Sequence, residues 1–396
     1  MLKVEEATRL INAQVRDYGS ERIALDKTVG RVLAEDVAAD RDFPPFDRVS
    51  MDGIAIDYTA FENGRTEFRI EQTIAAGEPI ATLKNKDNCM EVMTGAVCPE
   101  GCDTVIRYED LEINGGVARI MIDDIRHTQN VHNQGIDRTA GDILIKVGKL
   151  INAADIAIMA TVGKAEVLVR KNPRVCILSN GDELVQVHET PEPHQIRRSN
   201  VHALSNLLKS RHVDAETRHI SDDRELIREH VEQLLQDFDV LLMSGGVSMG
   251  KFDHLPSVFD ELGVEKVFHK IQQRPGKPFW FGKHPSGTLI FAFPGNPVST
   301  FMCAIRYFIP WLNTTLEQRD IPEMSAILSE DFHFRPTLQY FLPVKTHMKD
   351  GQLYGAPRPG HGSGDLANLS DADGFLELPI DRSDFQKGEA FRFWTF

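Results

Sequence analysis

The amino-acid sequence predicts a multidomain protein in which a doubly wound α/β unit is flanked by two mostly β units. The first observation is length, because 396 residues leave room for two to four domains at roughly 150 residues each. The second is that apolar, strand-like runs alternate with helical stretches in the centre of the chain. The third is that short segments with alternating apolar and polar residues lie on both sides of that centre, which is typical of half-exposed strands.

The N-terminal part begins with a predicted helix, whose apolar residues recur at Leu2, Ala7, Leu10, Ile11 and Val15. From 46 to 138 the segments are short and alternating, and Gly115-Gly116 is a predicted hairpin turn. We therefore predict a mostly β unit over 46–138. A helix that ends at Gly163 is predicted after it.

Three apolar, β-branched runs predict the core strands of the central unit. They cover 174–179, 239–244 and 288–293, and helical stretches at 199–211, 223–237 and 254–262 separate them. This alternation indicates a parallel, doubly wound sheet across about 172–315. After Trp311 the pattern returns to short strands with Gly and Pro turns, so 320–396 is predicted as a second β unit.

Composition argues against several classes of protein. The chain has 44 Lys+Arg and 59 Asp+Glu, and a formal net charge of −15 argues against a general nucleic-acid-binding protein. Five scattered cysteines form no disulfide pattern, and the first residues lack the apolar core of a secretory signal. No run approaches the ~18 apolar residues of a membrane span. We expect a cytoplasmic protein without a nucleic-acid or membrane partner.

Three glycine-rich loops follow the predicted core strands: SNGDEL (179–184), SGGVSMGKFD (244–253) and PGNP (294–297). Ligands of open parallel sheets bind beyond the carboxyl ends of the strands, and such turns let backbone N–H groups approach an anion. Glycine is also common in ordinary strand–helix turns. Three such loops at one edge nevertheless favour a phosphate-bearing ligand.

The middle loop also matches two other motifs. Residues 245–251 read G-x-x-x-x-G-K, but Phe252 replaces the hydroxyl residue that a P-loop uses to hold Mg²⁺. Residues 246–250 read G-x-S-x-G around Ser248, which is the pattern of a nucleophile elbow. A P-loop enzyme and a G-x-S-x-G hydrolase therefore remain as alternatives.

Carboxylates near these loops predict a divalent-cation site. Asp182 and Glu183 lie in the first loop, and Asp253 lies in the second. Asp222 precedes a predicted helix, where N-capping is the alternative role, and Asp52 lies beside a glycine in an earlier loop. We expect Mg²⁺, because it prefers oxygen ligands.

Basic residues are concentrated in HKIQQRPGKP (269–278), where Lys270, Arg274 and Lys277 could hold an anion; a solvated surface strand is the alternative. Cys98 and Cys102 have no second pair nearby, which argues against a zinc site.

Several of these segments form an ordered series that is similar to a known family. The series reads PPFDRVSMDGIAI, MTGAVCPEGCDTVI, LSNGDEL, SGGVSMGKFDH, RPGKP and FPGNPVS, and it extends to GHGSGDLANLSDADGFLELP. In this order the segments resemble the molybdopterin molybdenumtransferase family, and the resemblance covers nearly the whole chain.

The resemblance implies a homodimer with four domains per subunit. These would be a discontinuous N-terminal domain (1–45 plus 139–171), a mostly β insertion (46–138), an α/β molybdopterin-binding domain (172–318) and a C-terminal β-barrel domain (319–396). It also implies that molybdenum from molybdate is inserted into adenylylated molybdopterin, with Mg²⁺-dependent hydrolysis that releases AMP. Other molybdenum cofactor biosynthesis proteins and apo-molybdoenzymes are the implied protein partners.

Site residues follow by motif. Positions that resemble the family's active site are Asp52, Thr94, Asp137, Glu183, Asp222, Asp253, Lys270 and Lys277, with Glu183 and Asp253 as metal ligands. Expected substrate-binding positions, besides Thr94, are Ser179, Gly181, Asp182, Ser244, Gly245, Gly246, Ser248, Arg274, Pro294, Asn296, Pro297, Arg358 and Ser363.

Two departures from the family pattern leave open a specialised paralogue. Arg274 replaces a lysine, and Ile54-Ala55 stand where an aromatic residue is usual. The related molybdopterin adenylyltransferases usually carry Thr-Gly after SGG, whereas Val247-Ser248 and the additional domains favour the insertion enzyme. A non-catalytic, molybdopterin-binding scaffold is a further alternative, against which the intact acidic positions argue.

Overall fold

The computed structural model describes residues 1–246 and 254–396. Two compact units can be distinguished in it. The first comprises Met1–Glu35, Gly148–Ala153 and Glu166–Phe396, and the second comprises Asp36–Val147 and Ala154–Ala165. The predicted fold class, multidomain α/β and β, is confirmed, whereas the division into four domains stays a prediction.

The α-helices of the described residues, in chain order, are α1 (Val4–Asn12), α2 (Tyr58–Glu62), α3 (Ala153–Thr161), α4 (Ser199–Lys209), α5 (Arg224–Asp237), α6 (Leu255–Glu261), α7 (Pro297–Cys303) and α8 (Ile309–Thr315). A π-helical turn, Ala304–Phe308, joins the last two. Short 3₁₀ turns cover Leu25–Lys27, Tyr108–Asp110 and Leu366–Asp371. In the part of the chain that the structure describes, no helix is long and apolar enough to cross a membrane.

The strands of the first half are β1 (Ser20–Ala24), β2 (Val37–Ala38), β3 (Arg48–Val49), β4 (Gly53–Ile56), β5 (Glu67–Ile74), β6 (Asn88–Val92), β7 (Thr104–Arg107), β8 (Leu111–Asn114), β9 (Val117–Ile120), β10 (Val131–His132), β11 (Ile143–Ile145), β12 (Glu166–Arg170), β13 (Val175–Asn180) and β14 (Leu184–Val185).

The strands of the second half are β15 (Ile196–Arg197), β16 (Ala215–Ile220), β17 (Val240–Ser244), β18 (Glu265–His269), β19 (Gln273–Arg274), β20 (Trp280–Lys283), β21 (Leu289–Phe293), β22 (Ser325–Leu328), β23 (Phe332–His333), β24 (Gln339–Lys349), β25 (Gln352–Pro357), β26 (Gly374–Leu378), β27 (Asp384–Phe385) and β28 (Ala390–Thr395).

The central sheet of the first unit has the strand order β16-β13-β17-β21-β20-β18. Its first four strands are parallel, as the alternation of strands and helices predicts. Strand β20 runs antiparallel to both of its neighbours, β21 and β18, so the sheet is mixed rather than wholly parallel. No helix lies between β18 and β20 or between β20 and β21, as is typical of antiparallel neighbours. The hydrophobic pattern of a strand does not show in which direction the strand runs, so the sequence does not predict this reversal.

Both faces of this sheet are covered, which explains the uninterrupted apolar runs of its core strands. Ile177, Leu242 and Phe291 belong to one buried cluster, whereas Leu178 and Met243 belong to another. Successive side chains of a strand point to opposite faces, so a strand that is buried on both faces must be apolar throughout. The sheet thereby fixes the ends of its strands in a rigid core.

The C-terminal part of the first unit is a closed five-stranded barrel. Strands β24, β25, β22, β28 and β26 pair in that order, and β26 returns to β24. Closure removes the free edges that an open sheet of these strands would expose. Strand β19 adds to β24 in parallel and so connects the basic segment to the barrel.

The second unit contains a six-stranded sheet in the order β7-β4-β6-β5-β9-β8. The predicted hairpin at Gly115-Gly116 is confirmed, because it joins β8 to β9 in an antiparallel pair. Both glycines have positive φ, which suits the tight turn.

A buried ion pair connects the π-helical turn to the barrel. Arg306 Nε lies 3.1 Å from Glu377 Oε2, and the two side chains are only 7% and 10% exposed. Glu377 also accepts hydrogen bonds from Gln339 Nε2 at 2.5 Å and Trp394 Nε1 at 2.6 Å, and Arg306 donates to Thr8 Oγ1 at 3.1 Å. Each charged group thus has its counter-charge and at least one further hydrogen bond, which a buried ion pair requires to offset the loss of hydration.

We expect Arg306→Leu to lower the free energy of unfolding by about 3–5 kcal/mol, because it leaves Glu377 buried without its counter-charge. Urea denaturation measures this loss. The control is Arg228→Leu, which removes an exposed partner of Glu232 on α5 and should cost below about 1 kcal/mol. Equal losses in the two variants would contradict the assignment.

Candidate functional site

The core strands of the first unit end side by side. Ser179 of β13 is in register with Ser244 of β17, and Ser244 is in register with Phe293 of β21. The loops at 179–184 and 294–297 and the described start of the middle loop therefore leave the same edge of the sheet. This is the position at which open α/β sheets bind ligands.

Two adjoining cavities open at this edge, of about 410 Å³ and about 370 Å³. Five residues line both of them: Asn180, Glu183, Gly245, Gly295 and Asn296. Ser179, Ser244 and Pro297 line the first cavity, whereas the second adds Gly181, Asp222, Gly246, Pro278 and Pro294. Most of the substrate-binding residues that were predicted in the three loops thus surround one place.

The carboxylate of Asp222 connects the first loop to the segment before α5. Its Oδ1 accepts a hydrogen bond from Asn180 Nδ2, and its Oδ2 accepts one from the backbone N–H of Asp182 at 3.3 Å. The backbone N–H of Asp222 in turn donates to Asp182 Oδ1 at 3.2 Å. N-capping, the alternative role for Asp222, is instead performed by Asp223, which accepts from Leu226 N at 3.0 Å.

Ser179 contacts a histidine on the edge strand. Its Oγ lies 3.1 Å from Nδ1 of His219. Burial lowers the pKa of His219, and the nearby positive charge of Arg198 lowers it further. A neutral imidazole can accept a hydrogen bond from the Ser179 hydroxyl at Nδ1, and the Arg218 carbonyl, at 3.4 Å, is a second acceptor for that hydroxyl.

Side-chain amides connect the remaining loops. Asn200 Nδ2 donates to Ser244 Oγ and to the backbone carbonyl of Gly295, both at 2.7 Å. Asn296 Nδ2 donates to Ser363 Oγ at 2.7 Å, which brings the predicted Ser363 to the loop at 294–297. The cavity walls are thus fixed by hydrogen bonds between segments far apart in the chain.

Gly246 shows why the middle loop begins with two glycines. Its φ is +70°, and a Cβ there would lie 2.3 Å from Leu255 Cδ1. A side chain would therefore be strained and would also displace the first residue of α6.

The lining residues of the first cavity that were not predicted include three polar ones beside α4: Arg197, Arg198 and Asn200. They directly precede or begin α4, whose first turn has backbone N–H groups without helical partners. A basic pair before a helix is a signal for an anion site that could have been used. Asn180 was also missed, because an asparagine beside a glycine is typical of an ordinary turn.

The basic segment is not a solvated strand, because β19 within it pairs with β24 and a backbone hydrogen bond closes it into a turn. Gln273 is fully buried, and the backbone N–H of Ile271 donates to the carbonyl of Lys277 at 3.0 Å. The side chains of Arg274 and Lys277 are nevertheless exposed, and Lys270 is half-buried. Pro278, directly after Lys277, lines the second cavity.

Arg358 follows the end of β25, and Arg274 occupies a separate position near the barrel. Arg358 is exposed, and its Nη1 donates to the carbonyl of Pro357 at 2.7 Å. Arg274 lines a small cleft of about 20 Å³ together with Ser363, and its guanidinium carbon lies 5.8 Å from the ring centre of Phe334.

Three predicted active-site residues belong to the second unit. Asp52 Oδ1 accepts hydrogen bonds from Thr94 N at 2.6 Å and Thr94 Oγ1 at 2.7 Å, which lower the pKa of Asp52. Asp52 and Thr94 are therefore in direct contact, and their role in the active site stays a prediction. Asp137 instead lies 3.2 Å from His132 Nε2.

Ser248 and Asp253 lie outside the described residues, and so do Lys251 and Phe252 of the two alternative motifs. Within residues 1–246 and 254–396, no group of three or more His, Cys, Asp or Glu side chains is arranged to hold a metal ion. Two carboxylates, Glu183 and Asp222, line the same cavity there.

Comparisons with known proteins identify the family. The chain matches the MoeA N-terminal region (domain I and II) over 2–163, a probable molybdopterin binding domain over 176–314 and the MoeA C-terminal region (domain IV) over 325–396. It is 40% identical over 400 residues to a molybdopterin molybdenumtransferase from Synechocystis sp., with 100% of both chains covered. A relative of the same name from Bacillus subtilis is 28% identical over 397 residues, which cover 98% of this chain and 92% of the relative.

A solved structure agrees with this. The fold is similar to that of a molybdopterin biosynthesis MoeA protein from Pyrococcus horikoshii, with a TM-score of 0.84, 29% identity and coverage of 100% and 99%. Sequence and fold lead to the same assignment over the full length of the chain. The chain belongs to the molybdopterin molybdenumtransferases, which are transferases of molybdenum cofactor biosynthesis.

Proposed function

We propose that the chain inserts molybdenum from molybdate into adenylylated molybdopterin, with Mg²⁺-dependent hydrolysis of the adenylate to release AMP. The two adjoining cavities carry the proposal, because one is lined by Arg197 and Arg198 and the other by Glu183 and Asp222. Cations beside carboxylates suit a phosphoanhydride that must be held next to a divalent cation.

The donor set of the second cavity fits Mg²⁺. Glu183 and Asp222 offer hard carboxylate oxygens, and the hydrogen bonds from Asn180 and Asp182 hold Asp222 in place. Asp253 would add a third carboxylate from the middle loop, as the resemblance implies. When bound there, Mg²⁺ would polarise the phosphoanhydride toward attack.

The protein's own groups would offset the repulsion between the two anionic substrates. Arg197 and Arg198 line the first cavity, and the glycines there, Gly245 and Gly295, leave room for an anion to approach the backbone. Lys277 and Arg274 project from a turn whose backbone is fixed by burial of Gln273 and Gly276. Molybdate is a small dianion, which cations on a rigid turn would hold in one position.

Incubation with adenylylated molybdopterin, molybdate and Mg²⁺ tests the proposal. We expect AMP release that depends on all three components, together with a product that activates a molybdenum-free apo-enzyme. AMP release at the same rate without molybdate would contradict the coupling of insertion to hydrolysis. Cofactor binding without turnover would favour the scaffold alternative.

We expect Lys277→Ala to raise the half-saturating concentration of molybdate roughly tenfold, with a smaller effect on kcat, if Lys277 binds the anion in ground and transition states alike. Lys277→Arg should recover only part of the affinity, because a planar fork does not reproduce a compact ammonium group. Titration of both substrates measures the effect.

The control for this titration is Lys283→Ala, which removes an exposed lysine at the end of β20. It should leave both half-saturating concentrations unchanged. Unchanged values for Lys277→Ala as well would place the basic turn outside the substrate site.

We further propose a cytoplasmic homodimer of four-domain subunits that exchanges substrate and product with other molybdenum cofactor biosynthesis proteins and apo-molybdoenzymes. The family resemblance supports this assembly. Sedimentation at micromolar concentration should give twice the 44.5 kDa chain mass, and a single 44.5 kDa species would contradict it.

A further inference from the structure

Asn180 is the last residue of β13 and the point at which the two cavities meet. Its Nδ2 donates to Asp222 Oδ1, across 42 positions of the chain. Since only the NH₂ group of the amide can donate to a carboxylate, this bond fixes which way the amide is turned. The other amide atom, Oδ1, must then point away from Asp222.

The Oδ1 atom of Asn180 is buried and has no hydrogen-bond partner among the described residues. A buried carbonyl without a partner destabilises the folded state relative to one that is satisfied. Packing alone would therefore be served better by an apolar side chain of similar size. The Asn180 side chain thus has a destabilising, unpartnered oxygen, while its NH₂ group binds the carboxylate of Asp222.

The surroundings of Asn180 restrict it further. A Cβ on Gly246 would lie 3.6 Å from Asn180 Nδ2, and a Cβ on Gly245 would lie 3.2 Å from the Asn180 carbonyl oxygen. The middle loop thus lies against Asn180 on one side while the Asp222 segment lies on the other. The amide occupies the gap between the two loops that form the second cavity.

We propose that Asn180 is a positioning residue for the transferase reaction: it turns the Asp222 carboxylate toward the second cavity and holds it there. Asp222 has its second oxygen on the backbone N–H of Asp182, at 3.3 Å, so both oxygens are restrained from the first loop. Without the amide, one restraint is lost and the carboxylate can rotate away from the substrate. This inference rests on the proposed function of the same site.

Asn180→Leu separates positioning from structure, because leucine keeps the approximate size of the side chain but removes both its donor and its unpartnered oxygen. We expect the thermal midpoint to stay within about 2 °C of the parent or to rise, since a buried unsatisfied acceptor is removed. AMP release should fall roughly thirtyfold in kcat, while the half-saturating concentration of molybdate changes less than about twofold.

Asn180→Ala is measured beside it, because leucine could crowd the turn at Gly245 and Gly246. Asn206→Leu is the control, since the Asn206 amide is exposed on α4 and donates to the His202 carbonyl of the same helix at 2.8 Å. We expect the loss of kcat in both Asn180 variants, a retained thermal midpoint in at least one of them, and no change in kcat for the control.

Two outcomes would overturn the inference: parental kcat in both Asn180 variants, or a loss of kcat that occurs only together with a large fall in the thermal midpoint of both. The second result would assign Asn180 a structural role. Failure of the proposed function is distinguishable, because the parental protein itself would then release no AMP in the same assay.

Discussion

Glu183→Gln should reduce AMP release on the order of a hundredfold or more while leaving the fold intact. Glu183 lines both cavities, and the substitution keeps its shape but removes its charge. A carboxylate that helps to hold the divalent cation acts where charge develops during cleavage of the phosphoanhydride, and loss of one such group has effects of this size. The half-saturating Mg²⁺ concentration should rise in parallel.

The matched control is Glu192→Gln, an exposed carboxylate of the same segment that lines neither cavity. It should turn over at the parental rate. Circular dichroism and the thermal midpoint check that both variants are folded. Normal turnover of Glu183→Gln at limiting Mg²⁺ would remove Glu183 from the metal site. Asp253→Asn is expected from the sequence to resemble Glu183→Gln.

Gly53→Ala should destabilise the second unit by more than about 4 kcal/mol. Gly53 begins β4 and lies between Val92 of β6 and Arg107 of β7. A Cβ at this position would lie 1.8 Å from the backbone oxygen of Ile106, so two strands of the sheet would have to separate. A backbone atom in a central sheet cannot move aside as a flexible side chain can.

Thermal or urea unfolding of Gly53→Ala measures the loss. The control is Gly364→Ala, because a Cβ at Gly364 meets nothing within 4 Å and the backbone there does not need a positive φ. That variant should be unchanged or more stable by about 0.4–1 kcal/mol. If both variants unfolded at the parental midpoint, β4 and β7 would not be as close as the structure places them.

The sequence correctly predicts the core strands, which are buried on both faces of the sheet. Val175–Asn180, Val240–Ser244 and Leu289–Phe293 are confirmed within one residue of the apolar runs, because a strand covered on both faces must be apolar throughout. Ala215–Ile220 was not predicted. It is an edge strand with the exposed, polar residues AETRHI, so no hydrophobic pattern distinguishes it from a loop.

Some features of the candidate site can likewise be predicted from the local sequence, and others cannot. Gly-rich loops after apolar strands are local signals, and two cavities open beside them, whereas the roles of the loop residues stay predictions. The bond from Asn180 to Asp222 and those from Asn200 to Ser244 and Gly295 join residues more than 40 positions apart. Such pairings depend on how the sheet is ordered, which a single sequence does not contain.

The closed barrel has a consequence for the order in which the chain can fold during synthesis. Strand β28 lies between β22 and β26, and it is the last of the five strands to leave the ribosome. Until it emerges, β22 and β26 each present an unpaired edge that can recruit another nascent chain. The hydrogen bond from Trp394 Nε1 to the Glu377 carboxylate also cannot form before then, because Trp394 lies on that last strand. Barrel closure therefore has to follow the synthesis of the other four strands, because β28 alone covers both of these edges.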